Sequence, residues 1–169
     1  HQSGQRGHVL WSDDAGKQWQ QAAVPVSSDL VAAQFTTPEE GWAVGHDGLI
    51  LVSDDGGENW RIQRDGLAAQ QQANLDVREA AHRRVEELEQ SMATADEDTK
   101  AQLEAELEDA QVELEDADLT LEEPVFTSPL MDVWFQDADR GWAVGTFGTL
   151  VATEDGGQHW ASQQTKLEN

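Results

Sequence analysis

The chain has 169 residues and a formal net charge of -24, with 10 Lys and Arg against 34 Asp and Glu. A charge of this sign repels nucleic acid and anionic membrane surfaces at long range, so we expect neither as a partner. The sequence contains no cysteine, which excludes disulfides, thiolate metal sites and a cysteine nucleophile. No apolar run approaches the ~20 residues of a membrane-spanning helix.

A short motif occurs three times, as SDDAGKQW, SDDGGENW and TEDGGQHW, with the shared pattern Ser/Thr-x-Asp-x-Gly-x-x-Trp. The first two copies begin 41 residues apart and the last two begin 100 apart. A period of about 40 residues with short apolar runs and glycine-rich turns predicts four-stranded propeller blades. The shared positions are Ser12, Asp14, Gly16 and Trp19 in the first copy, Ser53, Asp55, Gly57 and Trp60 in the second, and Thr153, Asp155, Gly157 and Trp160 in the third.

The acidic turns of the motif are expected to stabilise their own backbone. Glycine and aspartate tolerate positive φ, and the hydroxyl and carboxylate oxygens can accept hydrogen bonds from amides within the turn. A calcium loop would need oxygen ligands at alternating positions and a bidentate acid near the twelfth, and no such acid follows Asp55. We therefore predict no metal, no cofactor and a structural role for the motif, with its Trp as an apolar lid.

The strands of the second and third blades are predicted from an ungapped match between two parts of the sequence. LVAAQFTTPEEGWAVG from Leu30 aligns on LMDVWFQDADRGWAVG from Leu130. We expect an innermost strand at 30–35 or 130–135, a second strand at each WAVG, a third at LILVS or TLVAT, and an outer strand that begins at the motif Trp.

A different composition begins at residue 67 and ends at residue 124, where glycine is absent and Ala, Glu, Gln and Leu dominate. Apolar residues recur there at intervals of three and four, as in the seam of a coiled coil. The polar stretch TADEDTK separates two such runs, which predicts an antiparallel helical hairpin whose second helix is capped by Thr99 and Gln102 and ended by Pro124. The hairpin has 18 acids and four bases, and we expect its charged surface to be mainly solvated. The alternative is an acidic docking surface for a basic partner, and we expect the hairpin to be the distinctive protein-contact element of the chain.

The predicted domains are therefore blades at 1–66, the hairpin at 67–124 and a further blade at 125–169. The hairpin interrupts the chain between the outer strand of one blade and the inner strand of the next. Such connections share one side of an up-and-down blade with the middle turns, and we call it the upper side; the acidic turns lie on the lower side. The upper turns and one unmatched aromatic are the candidate interaction residues: His46, Asp47, Trp134, Thr146 and Phe147.

The repeated motif resembles the Asp-box, or BNR, repeat of sialidases and other propellers. Preceded by GWAVGHDGLILV and GWAVGTFGTLVA, it is similar in particular to the photosystem II stability/assembly factor-like family. The resemblance implies a non-catalytic, exported propeller that acts as an assembly or interaction platform, in the thylakoid lumen or in the bacterial periplasm or cell envelope. No signal peptide is recognisable at the first residues, so we expect that any export signal has been removed.

Two other functions are considered against the platform. A sialidase-like enzyme needs a tyrosine nucleophile and an arginine cluster, but the chain has no tyrosine and its histidines show no metal-ligand spacing, so no catalytic residue is predicted. A carbohydrate-binding module is the runner-up, because tryptophan stacks on sugar rings. Six of the seven tryptophans occupy repeat-equivalent positions and are expected in the core, whereas Trp134 stands where Gln34 stands one repeat earlier.

Without the hairpin the chain is long enough for fewer than three blades, whereas closed propellers have ~4 to 8. The expected fold class is thus a partial propeller of about three four-stranded Asp-box blades with an inserted antiparallel coiled-coil hairpin. We expect a fragment of a longer propeller first, and next a homo-oligomer formed through blade edges or through the hairpin, since exposed strand edges favour pairing.

Overall fold

The computed structural model describes residues 2–3 and 5–163. The chain divides into two compact units, one formed by His1–Leu67 with Phe126–Asn169 and the other by Ala68–Val125. Residues 1, 4 and 164–169 belong to the predicted blade domains and lie outside the described residues.

The first unit contains three antiparallel sheets that follow one another along the chain. Each sheet is ordered as its strands occur in sequence, as expected for up-and-down propeller blades. The strands are β1 (Gln2–Ser3), β2 (Val9–Trp11) and β3 (Gln20–Gln21) in the first blade, β4 (Leu30–Phe35), β5 (Gly41–Gly45), β6 (Ile50–Ser53) and β7 (Arg61–Arg64) in the second, and β8 (Leu130–Phe135), β9 (Gly141–Gly145), β10 (Leu150–Thr153) and β11 (Ala161–Ser162) in the third.

The second and third blades share one register. Gln34 in β4 lies opposite Trp42 in β5, and Trp134 in β8 lies opposite Trp142 in β9. Both inner pairs also have a register shift at the same place, just after the first residue of the innermost strand. These strands confirm the four-stranded blades predicted from the repeat. The first blade has three described strands, which correspond to the second, third and fourth strands of the other two.

The core lies between successive blades, and the second sheet buries apolar side chains on both of its faces. One cluster joins Trp42 and its neighbours in the second blade to Leu130, Phe135 and others in the third. The rings of Trp42 and Phe135 are stacked, with centroids 3.7 Å apart. A second cluster joins Val9 of the first blade to Leu30 and other residues of the second. Side chains that alternate along each strand thus serve two different interfaces.

The second unit is built from two helices, α1 (Gly66–Thr94) and α2 (Glu97–Glu122), the first of which begins in the blade unit. Glu123 is the C-cap of α2 and Pro124 follows it, in agreement with the predicted end. Neither helix, nor any other in the described part of the chain, is apolar enough over a sufficient length to cross a bilayer.

The predicted cap of α2 is wrong. The N-cap is Asp96, whose extended backbone (φ -76°, ψ 168°) precedes the helix and whose carboxylate accepts from the amide of Thr99 at 2.9 Å. Thr99 is therefore inside the first turn, and the side chain of Gln102 donates to Glu106 at 3.0 Å instead of turning back. Aspartate at this position also places negative charge near the positive end of the helix dipole.

Candidate functional site

The second copy of the motif closes its turn with its own polar side chains. The hydroxyl of Ser53 donates to Asp55 Oδ1 and accepts from the amide of Gly57, both at 2.9 Å. Asp55 in turn accepts from the amide of Asn59 at 2.9 Å and from Asn59 Nδ2 at 2.7 Å. Gly57 has a φ of 84°, which glycine adopts without the steric cost that a side chain would bring.

The other two copies repeat this arrangement. In the first copy, Asp14 accepts from the hydroxyl of Ser12 and from the amide of Gln18, each at 2.8 Å. In the third copy, Asp155 accepts from the amide of His159 at 2.9 Å, and its second oxygen lies 2.7 Å from His159 Nδ1. All three carboxylates are thus engaged by groups within their own turns.

These contacts lower the pKa of each motif carboxylate. The backbone amide and then the side chain of His159 lower the pKa of Asp155 to about 2. Hydrogen bonds from Asn59 lower the pKa of Asp55, and the amide of Gln18 does the same for Asp14. Because the donors come from the protein itself, these oxygens are poorly placed to bind an ion. Across residues 5–163, no group of three or more His, Asp or Glu side chains is arranged to hold a metal.

The tryptophans of the three motif copies lie in different environments. Trp60 is buried and meets Phe35 edge to face, and Trp160 is partly buried and meets Phe135 in the same way. Trp19 is 47% exposed, contrary to the expectation that it lies in the core. The difference has a physical reason: Trp60 and Trp160 pack on the preceding blade, and no described sheet precedes the first.

A contact between blades that the sequence interpretation missed involves Gln63 in β7. Its Nε2 donates to the carbonyl of Gly156 at 2.8 Å, inside the acidic turn of the next blade. Its Oε1 accepts from Trp42 Nε1 at 3.2 Å and from Trp160 Nε1 at 3.4 Å. The available signal was the recurrence of Gln at position 163, 100 residues later.

The upper side of the blades carries four of the five candidate interaction residues, in two equivalent 3-10 turns at His46–Gly48 and Thr146–Gly148. The central residues Asp47 (φ 58°) and Phe147 (φ 54°) adopt the left-handed conformation, which costs an L-residue roughly 1–2 kcal/mol. Phe147 is 98% exposed. Its ring therefore contributes nothing to the core to offset this cost.

The turn of the second blade borders a cleft of about 270 Å³ that includes Asp47 and Leu49 among its lining residues. Asp47 Oδ2 accepts from the hydroxyl of Ser28 at 2.7 Å, and Arg64 Nη1 donates to the carbonyl of Gly48 at 2.7 Å. These contacts fix the turn in place. The Thr146 hydroxyl of the third blade is buried and has no hydrogen-bond partner among the described residues.

The fifth candidate, Trp134, is not part of the upper side. It lies near the lower end of β8, on a sheet face, with 53% of its surface exposed. Its ring stacks on Trp142 of the neighbouring strand, with centroids 5.3 Å apart and an interplanar angle of 23°. The structure thus separates Trp134 from the turns with which it was grouped.

Comparisons with known proteins agree with the repeat pattern. A family model described as photosynthesis system II assembly factor YCF48 matches residues 11–86 and 110–169. The photosystem II assembly protein Ycf48 of Synechococcus sp. (strain JA-2-3B'a(2-13)) is 43% identical over 47 residues, covering 27% of this chain and 14% of that protein. The photosystem II assembly lipoprotein Ycf48 of Nostoc sp. (strain PCC 7120 / SAG 25.82 / UTEX 2576) is 40% identical over 63 residues, covering 35% of this chain and 19% of the relative.

A solved structure described as YCF48 bound to D1 peptide matches with a TM-score of 0.52 and 15% identity. The match covers 96% of this chain and 36% of that chain, so this sequence spans about a third of the solved protein. At this identity the likeness establishes the fold alone, and it supports the assignment of the sheets as blades of a partial propeller.

Proposed function

The chain belongs to the family described as photosynthesis system II assembly factor YCF48, and we propose that it serves as a non-catalytic platform for protein binding. The observation that carries this proposal is Phe147. Its aromatic ring is 98% exposed to water, and its backbone is in the left-handed conformation that local sterics disfavour. Aromatic residues of this kind anchor protein interfaces.

The proposed binding surface is the upper side around the turn at Thr146–Gly148. Phe126, in the segment that enters the third blade, is also 81% exposed, so aromatic surface is available at more than one place in this unit. The turn at His46–Gly48 contacts β8 and is held by Ser28 and Arg64. A rigid turn presents a contact residue with little entropy to lose on binding.

The partner is a protein segment, in line with the solved YCF48 that holds a D1 peptide. The net charge of -24 favours a basic or neutral segment, since long-range repulsion slows the approach of an acidic one. We place this activity in an exported compartment, the periplasm or cell envelope, because a relative is described as a lipoprotein. The motif residues of the lower side serve the fold, and no metal or cofactor takes part.

The two helices are proposed to form an antiparallel coiled-coil hairpin that adds a second contact element. Arg78 in the first half of α1 donates to Asp118 near the end of α2 at 2.8 Å, as expected for helices running in opposite directions. Ala81 and Val85 on α1 are buried, as are two residues of α2. Small residues at such positions let two helices approach closely. The surplus of acids on the outside then suits a basic partner.

The carbohydrate-binding and glycosidase alternatives receive no support from the relatives. The one tryptophan that had suggested a sugar site, Trp134, stacks on Trp142 and lies on a face whose repeat equivalent is a blade interface. Its exposure therefore has an explanation in the fold. A glycan array remains the direct check, with Trp134→Ala as the control.

Binding of a fluorescent D1 peptide to the full chain, followed by anisotropy, tests the platform. Phe147→Ser should weaken binding at least about tenfold, the usual size of an aromatic anchor at an interface. Leu119→Ser removes an apolar side chain of α2 that is 56% exposed and should leave binding of this peptide unchanged if the turn is the site. Equal affinities for Phe147→Ser and the unmodified chain would contradict the proposal, and a loss caused by Leu119→Ser would move the site to the helices.

A further inference from the structure

A groove in the second unit is lined by residues of both helices, and we call it the helical groove. Its volume is about 270 Å³. Its lining residues are Asn74, Val77, Glu113, Asp116, Ala117 and Thr120. We propose that the helical groove binds a basic amphipathic helix of a partner protein, with apolar side chains inward and Lys or Arg side chains against the acidic wall. This binding rests on the proposed function, in which the helices form a second contact element.

The floor of the helical groove is a small side chain. Ala117 is 6% exposed, and it belongs to the buried positions of α2 together with Ala110. In α1 the less exposed positions from 74 to 92 recur at intervals of four and three, as in a helix that packs along a seam. An alanine at the seam fills little space between the two helices. It therefore leaves room for a side chain of a third helix to enter.

The wall contributed by α1 is apolar and open to solvent. Val77 is 61% exposed, and Ala73 and Ala80 lie four positions before it and three after it. Residues at these spacings share one face of a helix. The stripe lies outside the seam positions of α1, so the packing of the two helices on each other does not account for it. Covering it with apolar side chains of a partner removes this surface from water, which favours binding.

The wall contributed by α2 is acidic. Glu113 and Asp116 are both exposed and lie one turn apart on α2, whose residues 101–123 include ten acids and no base. Arg78, the base of α1 nearest in sequence to Val77, donates to Asp118 at 2.8 Å. Lysine or arginine side chains of a partner would therefore relieve the repulsion between neighbouring carboxylates. A second hairpin of this chain, with 18 acids and four bases, would increase it.

The polar side chains of the helical groove favour a helix over an extended segment. The hydroxyl of Thr120 donates to the carbonyl of Asp116 at 2.9 Å, and the side-chain oxygen of Asn74 accepts from Gln70 at 2.9 Å. These groups are thus engaged within their own helices. The backbone of an extended segment needs hydrogen-bond partners from the surface that it lies on, whereas a helix pairs its backbone groups internally. A helix also presents apolar residues at the spacing of a groove between two other helices.

The test uses a fluorescent peptide of about 18 residues, or roughly 27 Å of helix, with leucine at i, i+3, i+4 and i+7 spacing and lysine elsewhere. Its binding to the full chain is followed by anisotropy. A scrambled peptide of the same composition, in which the leucines do not share one face, should bind at least about tenfold more weakly. Binding of the amphipathic peptide should weaken as salt rises, because salt screens its attraction to the acidic wall.

Two valines of equal exposure separate the helical groove from the rest of the helices. Val77→Ser should weaken binding of the amphipathic peptide at least about tenfold, the size expected of an apolar anchor at an interface. Val112→Ser is the matched control, because Val112 is also 61% exposed but does not line the groove. Circular dichroism confirms that both variants fold. Equal losses of affinity in the two variants would overturn the proposal.

The acidic wall is tested by removing its charge at constant size. Glu113→Gln combined with Asp116→Asn should weaken binding about fivefold, as expected of two exposed ion pairs, and should reduce the salt dependence. Glu108→Gln combined with Glu115→Gln removes the same charge from exposed positions of α2 outside the groove and should have the smaller effect. Equal effects of the two double variants would assign the attraction to the net charge of the chain and contradict the acidic wall.

The groove and the turn at Phe147 can fail separately. Phe147→Ser should bind the amphipathic peptide like the unmodified chain, and Val77→Ser should bind the D1 peptide like the unmodified chain. Equal affinities for the amphipathic and scrambled peptides would refute the helical groove, and binding of the D1 peptide that depends on Phe147 would then leave the platform intact. Loss of D1 peptide binding with retained, Val77-dependent binding of the amphipathic peptide would have the opposite meaning.

Discussion

The side chain of Gln63 reaches from the outer strand of the second blade to the carbonyl of Gly156, 93 positions later in the sequence. Its other end accepts from the indole of Trp42, which is almost fully buried. Gln63 thus accepts from the indole N–H of Trp42 in its own blade and donates to the carbonyl of Gly156 in the next blade. A Cβ at the neighbouring Gly157 would meet this side chain, so the glycine also makes room for it.

Gln63→Ala should destabilise the protein by about 1–3 kcal/mol, because the buried indole N–H of Trp42 and the carbonyl of Gly156 lose their partner. Gln163→Ala is the matched control, since the same residue type occupies the equivalent exposed position. Urea unfolding, followed by circular dichroism, measures both. A similar loss of stability in the two variants would contradict the role given to Gln63.

Asp55→Ala should lower the free energy of unfolding by about 1 kcal/mol, because the amide of Asn59 and the hydroxyl of Ser53 lose their acceptor. Asp54→Ala removes the adjacent, exposed carboxylate and should have little effect. Thermal unfolding of both variants, with and without calcium, gives the comparison. Stabilisation of the unmodified chain by calcium that is lost in Asp55→Ala would instead indicate an ion site.

Acid should weaken the turns of the lower side before it unfolds the rest of the blades. The pKa of Asp155 in the folded chain is about 2, below the ordinary value of 3.8, so its ionised form stabilises the folded state. This contribution is complete above about pH 4 and is lost as the pH falls towards 2. The thermal midpoint measured from pH 5 to pH 2 should fall less steeply in Asp155→Asn than in the unmodified chain, and parallel curves would refute the assignment.

Asp96→Ala should increase hydrogen exchange at the first turn of α2, because the amide of Thr99 loses the carboxylate that caps it. Thr99→Ala should have the smaller effect, since it removes the hydroxyl contact with Asp96 but keeps the backbone amide that the carboxylate caps. Exchange of the blade amides serves as an internal reference in both variants. A larger effect of Thr99→Ala would restore the cap predicted from the sequence.

The strands could be predicted from the sequence because each blade is a local ladder. Paired residues in the second blade are at most 15 positions apart, as in Leu30 and Gly45, and the ungapped match from Leu30 to Leu130 carries the same turns in the same order. The family could be recognised for the same reason. Each copy of the repeat supports the strand assignment made for the other copies.

The burial of each motif tryptophan could not be predicted from the local sequence. Trp19, Trp60 and Trp160 have the same local sequence context, but their burial depends on the blade that precedes them. The contact of Gln63 with Gly156 likewise joins two blades, so the sequence around either residue does not predict it. At the start of α2, both Asp-x-x-Thr and Thr-x-x-Gln match a capping pattern, and only the extended backbone at Asp96 distinguishes them.

The junction that holds the helices shows how this repeat can diversify. After β7 the chain passes through Gly66, where a Cβ would collide with the backbone of Asp47 and Gly48. The helices are inserted there without interrupting any strand pair of the second and third blades. The spacing from motif Trp to the next innermost strand grows from 11 to 70 residues. By loop-closure entropy alone, that lengthening costs roughly 1.5 kcal/mol. A blade boundary is therefore a position where evolution, or a protein engineer, can graft an entire module while the surrounding ladder stays unchanged.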